Sequence, residues 1–293
     1  MKLPSFHSAL IFPGVLMLFS MCSWLAPGVQ AQIVLSDFET PYVQNFNSMG
    51  NPTGGAAASS NLPVHWKVDA LGSSTDLRMR TLGTWADAGT VATRNGGGAP
   101  PPDDSRPSRS SIFNFGKPTR NGEGSDDRAI GFYGNSSGVH SGNLYAQFKN
   151  ETGAALNELR LAYDVETFSD GTVAGGTRIA LYYSLDGSNW TAAGDDFVTV
   201  FSGAESNVGY ATTPGSSVTV HHVLNLEVPV ADGGLFYLAW NYSNATSSSA
   251  SSAYALGVDN FSIVAVPEPS IAFLLLPAAG AWLLARRRGR RSA

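Results

Sequence analysis

An all-β fold, two sheets packed face to face, is predicted for residues Gln32 to Val266 of this 293-residue chain. Three observations carry the prediction. Apolar and polar residues alternate with a period of two through most of the span, the mark of half-buried strands. No stretch in it has a helical pattern longer than a turn or two. The 32 glycines and short polar runs divide it into about eleven or twelve short segments, the spacing of a two-sheet sandwich.

In chain order, strand character begins at Tyr42–Phe46 and continues with Val64–Val68, Leu77–Leu82, Ile112–Phe115, Ala129–Tyr133 and Leu144–Phe148. The clearest alternation follows: Leu159, Leu161, Tyr163 and Val165 share one face, and Arg160, Asp164 and Glu166 the other. Then come Ile179–Tyr183, Phe197–Phe201, Val218–Leu224, Leu235–Tyr242 and Ala255–Val264. After Ser184, Asp186-Gly187 supplies the positive φ of a tight hairpin turn, and Trp190 begins the return. Three tracts near 48–61, 94–111 and 243–252 are too poor in apolar residues to pack and read as mobile loops. Gln32–Thr93 holds too little apolar content to close a core alone, so early strands are expected to pair with late ones.

Charge and cysteine content exclude several functions. From Gln32 to Val266 there are 12 Lys and Arg against 22 Asp and Glu, a net charge of about −10. Phosphate binding needs concentrated positive charge, so a nucleic-acid partner is not expected. The one cysteine, Cys22, lies in the first 31 residues, so the rest of the chain has no disulfide, no thiol nucleophile and no cysteine-ligated metal.

Both ends read as targeting segments. Lys2, the apolar run Ala9–Trp24 and the small-residue pattern Val29-Gln30-Ala31 match a signal peptide at 1–31, with cleavage by signal peptidase after Ala31. At the other end, Val266-Pro267-Glu268-Pro269 precedes an uncharged run over 270–285 and the basic cluster Arg286, Arg287, Arg288, Gly289, Arg290, Arg291. As a helix those 16 residues would cover ~24 Å, a marginal span of a hydrocarbon core about 30 Å thick. The positive-inside rule puts the arginines in the cytoplasm, as a membrane stop, and the body on the far side. Pro267 and Pro269 hold Glu268 on an extended, accessible segment.

These three parts in this order, over 266–293, resemble the PEP-CTERM sorting signal of Gram-negative bacteria. The resemblance implies processing by an exosortase, with Pro267, Glu268 and Pro269 as the recognition element and none of them catalytic. It also implies export through the inner membrane, transient anchoring with the body in the periplasm, and release to the cell surface or beyond.

The body, 32–265, carries a second resemblance. Arg128-Ala129-Ile130-Gly131, Phe148-Lys149-Asn150-Glu151-Thr152-Gly153, Leu159–Glu166 and the closing Gly257-Val258-Asp259-Asn260-Phe261-Ser262-Ile263 are similar to an uncharacterised jelly-roll module of secreted bacterial proteins. More loosely they are similar to carbohydrate-binding jelly rolls. By alternation Asp259 shares a face with Phe261 and Ile263 and should point inward, where it needs a backbone donor, an Arg or a cation. Related jelly rolls place a structural Ca²⁺ between first and last strands. The resemblance therefore implies a calcium site at Asp259 with Glu39 contributing, and no other cofactor.

Other chemistry is weakly marked. Gly134-Asn135-Ser136-Ser137-Gly138 matches a nucleophile elbow, but no helix follows to expose Ser136. His221 and His222 are adjacent and point to opposite faces in a strand, so with His65 and His140 they form no zinc spacing. Asp103-Asp104, Asp126-Asp127 and Asp195-Asp196 sit beside Gly, Ser or Pro and read as turn formers. Among the aromatics, Tyr182 and Tyr237 lie opposite the more apolar sets and are the candidates for stacking on sugar rings. The expectation is an exported, non-enzymatic cell-surface or extracellular-matrix protein with extracellular polysaccharide as partner. A glycan-binding adhesin module is the alternative, and a glycan-active hydrolase the rival from the enzyme class.

Overall fold

The computed structural model describes residues 32–49, 62–71, 82–89, 111–116, 127–134, 141–173, 175–204, 215–244 and 253–267. Residues 1–31, expected to be a signal peptide, most of the three tracts expected to be loops, the 270–285 run and its arginines lie outside them. No helix among the described residues is long and apolar enough to cross a membrane.

The described fold is all-β, two sheets packed as a sandwich. Its strands are β1 (Ile33–Leu35), β2 (Tyr42–Gln44), β3 (Trp66–Leu71), β4 (Ser111–Phe115), β5 (Ala129–Tyr133), β6 (Ser141–Asn150) and β7 (Leu156–Ser169). They continue with β8 (Thr177–Ser184), β9 (Thr191–Ala192), β10 (Val198–Phe201), β11 (Ser217–Val230), β12 (Leu235–Asn244) and β13 (Ala255–Val266). Two 3₁₀ turns, Asn47–Met49 and Asp195–Phe197, are the described helical segments. The first sheet runs β1-β6-β12-β8-β10, with β3 also on β6 and β9 on β8. The second runs β11-β7-β13-β5-β4, with β2 also on β13.

Early strands pair with late ones, as the apolar budget of the N-terminal segment requires: β2 lies antiparallel to β13 and β3 to β6. β1, which is too short to show alternation in sequence, adds parallel to the end of β6. Expected strand ends shift by a few residues, and of the expected strand Leu77–Leu82 only Leu82 lies within the described residues, outside any strand. Val64-His65 forms a turn with His65 at φ 66°, so β3 starts at Trp66. Phe197 belongs to a 3₁₀ turn rather than β10.

Leu159, Leu161, Tyr163 and Val165 are all buried on the inner face of β7, as their alternation predicts. The core is aromatic at its centre. Trp66 and Trp240 stack with centroids 5.6 Å apart, and Phe261 meets both edge-on at 5.4 and 5.1 Å. These geometries suit the ring quadrupole and tie β3, β12 and β13 across the sandwich.

The inward placement of Asp259 is corrected. Asp259 faces Asp164 and the next paired residues are Ser262 and Ala162, so Asn260 and Phe261 together oppose Tyr163. That is a β-bulge, with Asn260 at φ 50°. One extra residue reverses the parity of the strand. Phe261 and Ile263 face the core, while Asp259 falls on the outer face with Asp164 and Glu166.

Candidate functional site

Strand register sets out the outer face of the first sheet as rows. Lys67, Tyr145, Ala239 and Tyr182 form one row across β3, β6, β12 and β8. Asp69, Asn143, Asn241 and Ala180 form the next. Gln147, Tyr237 and Ser184 form the row on the other side. Tyr182 and Tyr237 therefore lie on this outer face, as their alternation predicts, and Tyr183 turns into the core.

The second row is a hydrogen-bonded relay. Asn241 Nδ2 donates to Asn143 Oδ1 at 2.5 Å, and Asn143 Nδ2 donates to Asp69 Oδ1 at 2.6 Å. Tyr145 Oη donates to the other Asp69 oxygen at 2.6 Å. Burial, with the Asp69 carboxylate beside it, pushes the Tyr145 hydroxyl well above the usual phenol range, so Tyr145 stays a donor.

A short segment, Leu82–Gly89, lies over this row. The Gly83 amide donates to Tyr145 Oη at 2.9 Å, and Trp190 Nε1 donates to the Gly83 carbonyl at 2.8 Å. Lys67 Nζ donates to the Trp85 carbonyl at 2.7 Å and sits 4.4 Å from the centroid of its ring. Trp85 packs on Tyr237 at 5.6 Å, and Trp190 on Tyr145 at 5.4 Å. Trp85, Trp190 and Tyr182 remain half-buried, in a cluster separate from the sandwich core. The hairpin that presents Trp190 is built as its sequence predicts. Gly187 has φ 72°, and Asp186 accepts from the Ser188 and Asn189 amides and from Asn189 Nδ2. Those donors hold its carboxylate below the ordinary range.

The outer face of the second sheet is acidic where Asp259, Asp164 and Glu166 meet. Asp259 is 1% exposed, and neither of its carboxyl oxygens makes a hydrogen bond of normal geometry. Burial pushes its pKa up to about 8, with the Asn260 amide opposing and Glu166, Asp127 and Asp164 adding repulsion. Burial likewise pushes Glu166 up to about 7. Asp164 is stabilised by Thr219 Oγ1 at 2.6 Å and Asn260 Nδ2 at 2.9 Å.

The two residues expected to share a calcium ion are not brought together. Tyr42 pairs with Ile263 and Gln44 with Phe261, so the chain before Tyr42 runs toward the Val266 end of β13, away from Asp259. Glu39 is exposed there. Among the described residues no group of three or more His, Cys, Asp or Glu has metal-binding geometry. His221 and His222 are exposed on β11, and His222 meets the Phe197 ring at 5.8 Å. Asp195 and Asp196 are exposed in their 3₁₀ turn. Ser136, His140, Asp103, Asp104 and Asp126 lie outside the described residues, as do Glu268, Pro269 and Arg286–Arg288 of the tail. Trp85 and Trp190 share the outer face with the two tyrosines through their loops, and strand periodicity carries no signal for residues in loops.

No family model and no curated protein matches the chain. Among solved structures it is similar to an arabinose-bound α-L-arabinofuranosidase, at 8% identity and a TM-score of 0.37, over 80% of this chain and 29% of that one. It is also similar to the K2 cleaved adhesin domain of Lys-gingipain, at 16% identity and a TM-score of 0.36, over 77% and 98% of the two chains. A third likeness is to the CBM22-1 xylan-binding domain from Paenibacillus barcinonensis Xyn10C, at 12% identity and a TM-score of 0.28, over 56% and 86%. The chain thus spans under a third of the arabinofuranosidase.

Proposed function

We propose that this chain is an exported cell-surface or extracellular-matrix protein whose jelly-roll-like sandwich binds polysaccharide on the outer face of its first sheet, without catalysing a reaction. The observation that carries the binding reading is the half-exposed aromatic group Trp85, Trp190 and Tyr182. These rings lie outside the core: Trp190 is fixed by its hydrogen bond to the Gly83 carbonyl and by Tyr145, Trp85 packs against Tyr237 under Lys67, and Tyr182 packs in the same cluster. Sugar rings present C–H faces that stack on such π surfaces, and rings already held in place lose little entropy on binding. Gln147, half-buried beside Tyr237, supplies a side-chain amide at the rim.

Export and sorting rest on the two terminal segments. The signal peptide delivers the body across the inner membrane, and the segment 270–285 with its arginines holds it there until an exosortase acts at Pro267-Glu268-Pro269.

Affinity electrophoresis in gels cast with soluble polysaccharides tests the binding reading. Retardation that Trp190→Ala weakens at least tenfold supports it, and retardation unchanged in Trp190→Ala and Tyr182→Ala refutes it. Mass spectrometry of the protein from its host tests the sorting reading, because an intact C-terminus at Ala293 is incompatible with processing.

A further inference from the structure

The second sheet ends in a long strand, β11, which pairs only with β7 among the described residues. Thr167 N donates to the Ser216 carbonyl, so alternation turns the backbone groups of even-numbered residues toward β7. Ser217, Thr219, His221, Val223 and Asn225 therefore direct their amides and carbonyls to the free edge. Each of these five residues is exposed. A free edge is a template for another strand unless something blunts it. Here the blunting devices stand only at the far end: the register shift after Asn225, then Pro229. From Ser217 to Asn225 there is no proline, bulge, Lys, Arg, Asp or Glu, and Val218 and Val223 are 42% and 40% exposed.

We infer that Ser217–Asn225 is a self-association edge on which a second copy of this chain pairs antiparallel through the same residues. An edge with no Lys, Arg, Asp or Glu offers a charged strand no ion pair and matches an uncharged one, which the same edge on a second copy supplies. The body carries a net charge of about −10, so two copies repel over most surfaces. This nine-residue edge has no acidic side chain to oppose their approach. Symmetry fixes the register. A twofold axis perpendicular to the sheet must relate outward-facing residues to outward-facing residues, and centring it on His221 uses the whole unblunted segment. His221 then faces its own copy, Thr219 faces Val223, and Ser217 faces Asn225. The pairing joins two second sheets into one continuous sheet and leaves the outer faces of both first sheets open.

Disulfide trapping in the full chain tests both the edge and the register, with Cys22→Ser removing the only native thiol. Cα atoms of facing residues lie about 5.5 Å apart, within disulfide reach, whereas residues four places out of register lie about 13 Å apart. His221→Cys is expected to form linked dimers at least tenfold faster than Ser188→Cys on the exposed hairpin. Thr219→Cys and Val223→Cys are expected to cross-link when the two chains are mixed and not when each is alone. Sedimentation of the unsubstituted chain, expected to show a dimer that Val223→Lys weakens at least tenfold, checks the inference without engineered thiols. Equal rates at residues 221 and 188, self-linking of Thr219→Cys, or a chain that stays monomeric would overturn it.

Discussion

Asp259→Asn offers the sharpest test of the described structure, because the parent group is a buried acid whose carboxyl oxygens make no hydrogen bond of normal geometry. Its pKa rises from an ordinary 3.8 to about 8 on folding. Between those values the unfolded chain is ionised at this position and the folded chain is protonated. The folded state binds the extra proton, so the contribution to stability is fully present below the unfolded pKa and is lost as pH rises toward the folded one. Each pH unit within the window costs about 1.4 kcal/mol for one whole proton, or about 3–4 kcal/mol between pH 5 and pH 8. Asparagine has nearly the same shape and no proton to lose. The stability of Asp259→Asn should therefore exceed that of the parent by a margin that widens by about this amount from pH 5 to pH 8. In a body of this size it corresponds to a divergence of roughly 10 °C in melting temperature. Glu166, raised to about 7, adds a fall of the same sign in both proteins, which is why the difference between them is the quantity to read. Circular dichroism melts at half-unit pH steps make the measurement. Parallel curves for the two proteins, or a parent that gains stability over this range, would refute the placement of Asp259.

Three other substitutions probe separate parts of the fold. Tyr145→Phe removes a donor from Asp69 and the acceptor of the Gly83 amide, and urea titration should show a loss of about 1–3 kcal/mol. Gly257→Ala places a methyl group 2.8 Å from Ala129 Cβ and 3.1 Å from Phe168, and should cost about 1–3 kcal/mol in the same assay. Phe261→Ala empties the centre of the aromatic core and should cost about 3–5 kcal/mol, with loss of near-ultraviolet dichroism from Trp66 and Trp240.

Much of the fold was legible because burial on one face imposes alternation. The longest readable run, Leu159–Glu166, lies at the centre of β7, where buried residues alternate with more open ones. Strands with both faces covered were harder to delimit. β6 is buried almost throughout, Asn143 and Tyr145 included, so its sequence does not separate an inner from an outer face as cleanly as β7 does. Of the aromatic group, the strand members Tyr182 and Tyr237 could be read from parity. Trp85 and Trp190 could not, since what places them is a set of contacts between residues far apart in sequence: Gly83 with Trp190, Lys67 with Trp85.

The misreading of Asp259 shows where such parity arguments fail. Alternation holds only while each residue of a strand has one partner; β13 carries an extra residue at Asn260, and its pairing with β7 shifts a second time between Ala255 and Leu256, where the extra residue is on β7. Asparagine is among the few residues that enter the left-handed region at modest cost, so Asp-Asn in a strand interior is itself a warning of a bulge. β13 has a mechanical reason for one there. Its edge is shared by β5 over Ala255–Val258 and by β2 over Phe261–Ile263, and the bulge falls in the gap between those two partners. An uninterrupted β13 would have driven Asp259 into a core of tryptophan and phenylalanine, beside Trp66 and Trp240. The extra residue instead keeps Phe261 in that core and leaves the carboxyl outside it, among Asp164 and Glu166, where lowering the pH relieves its cost.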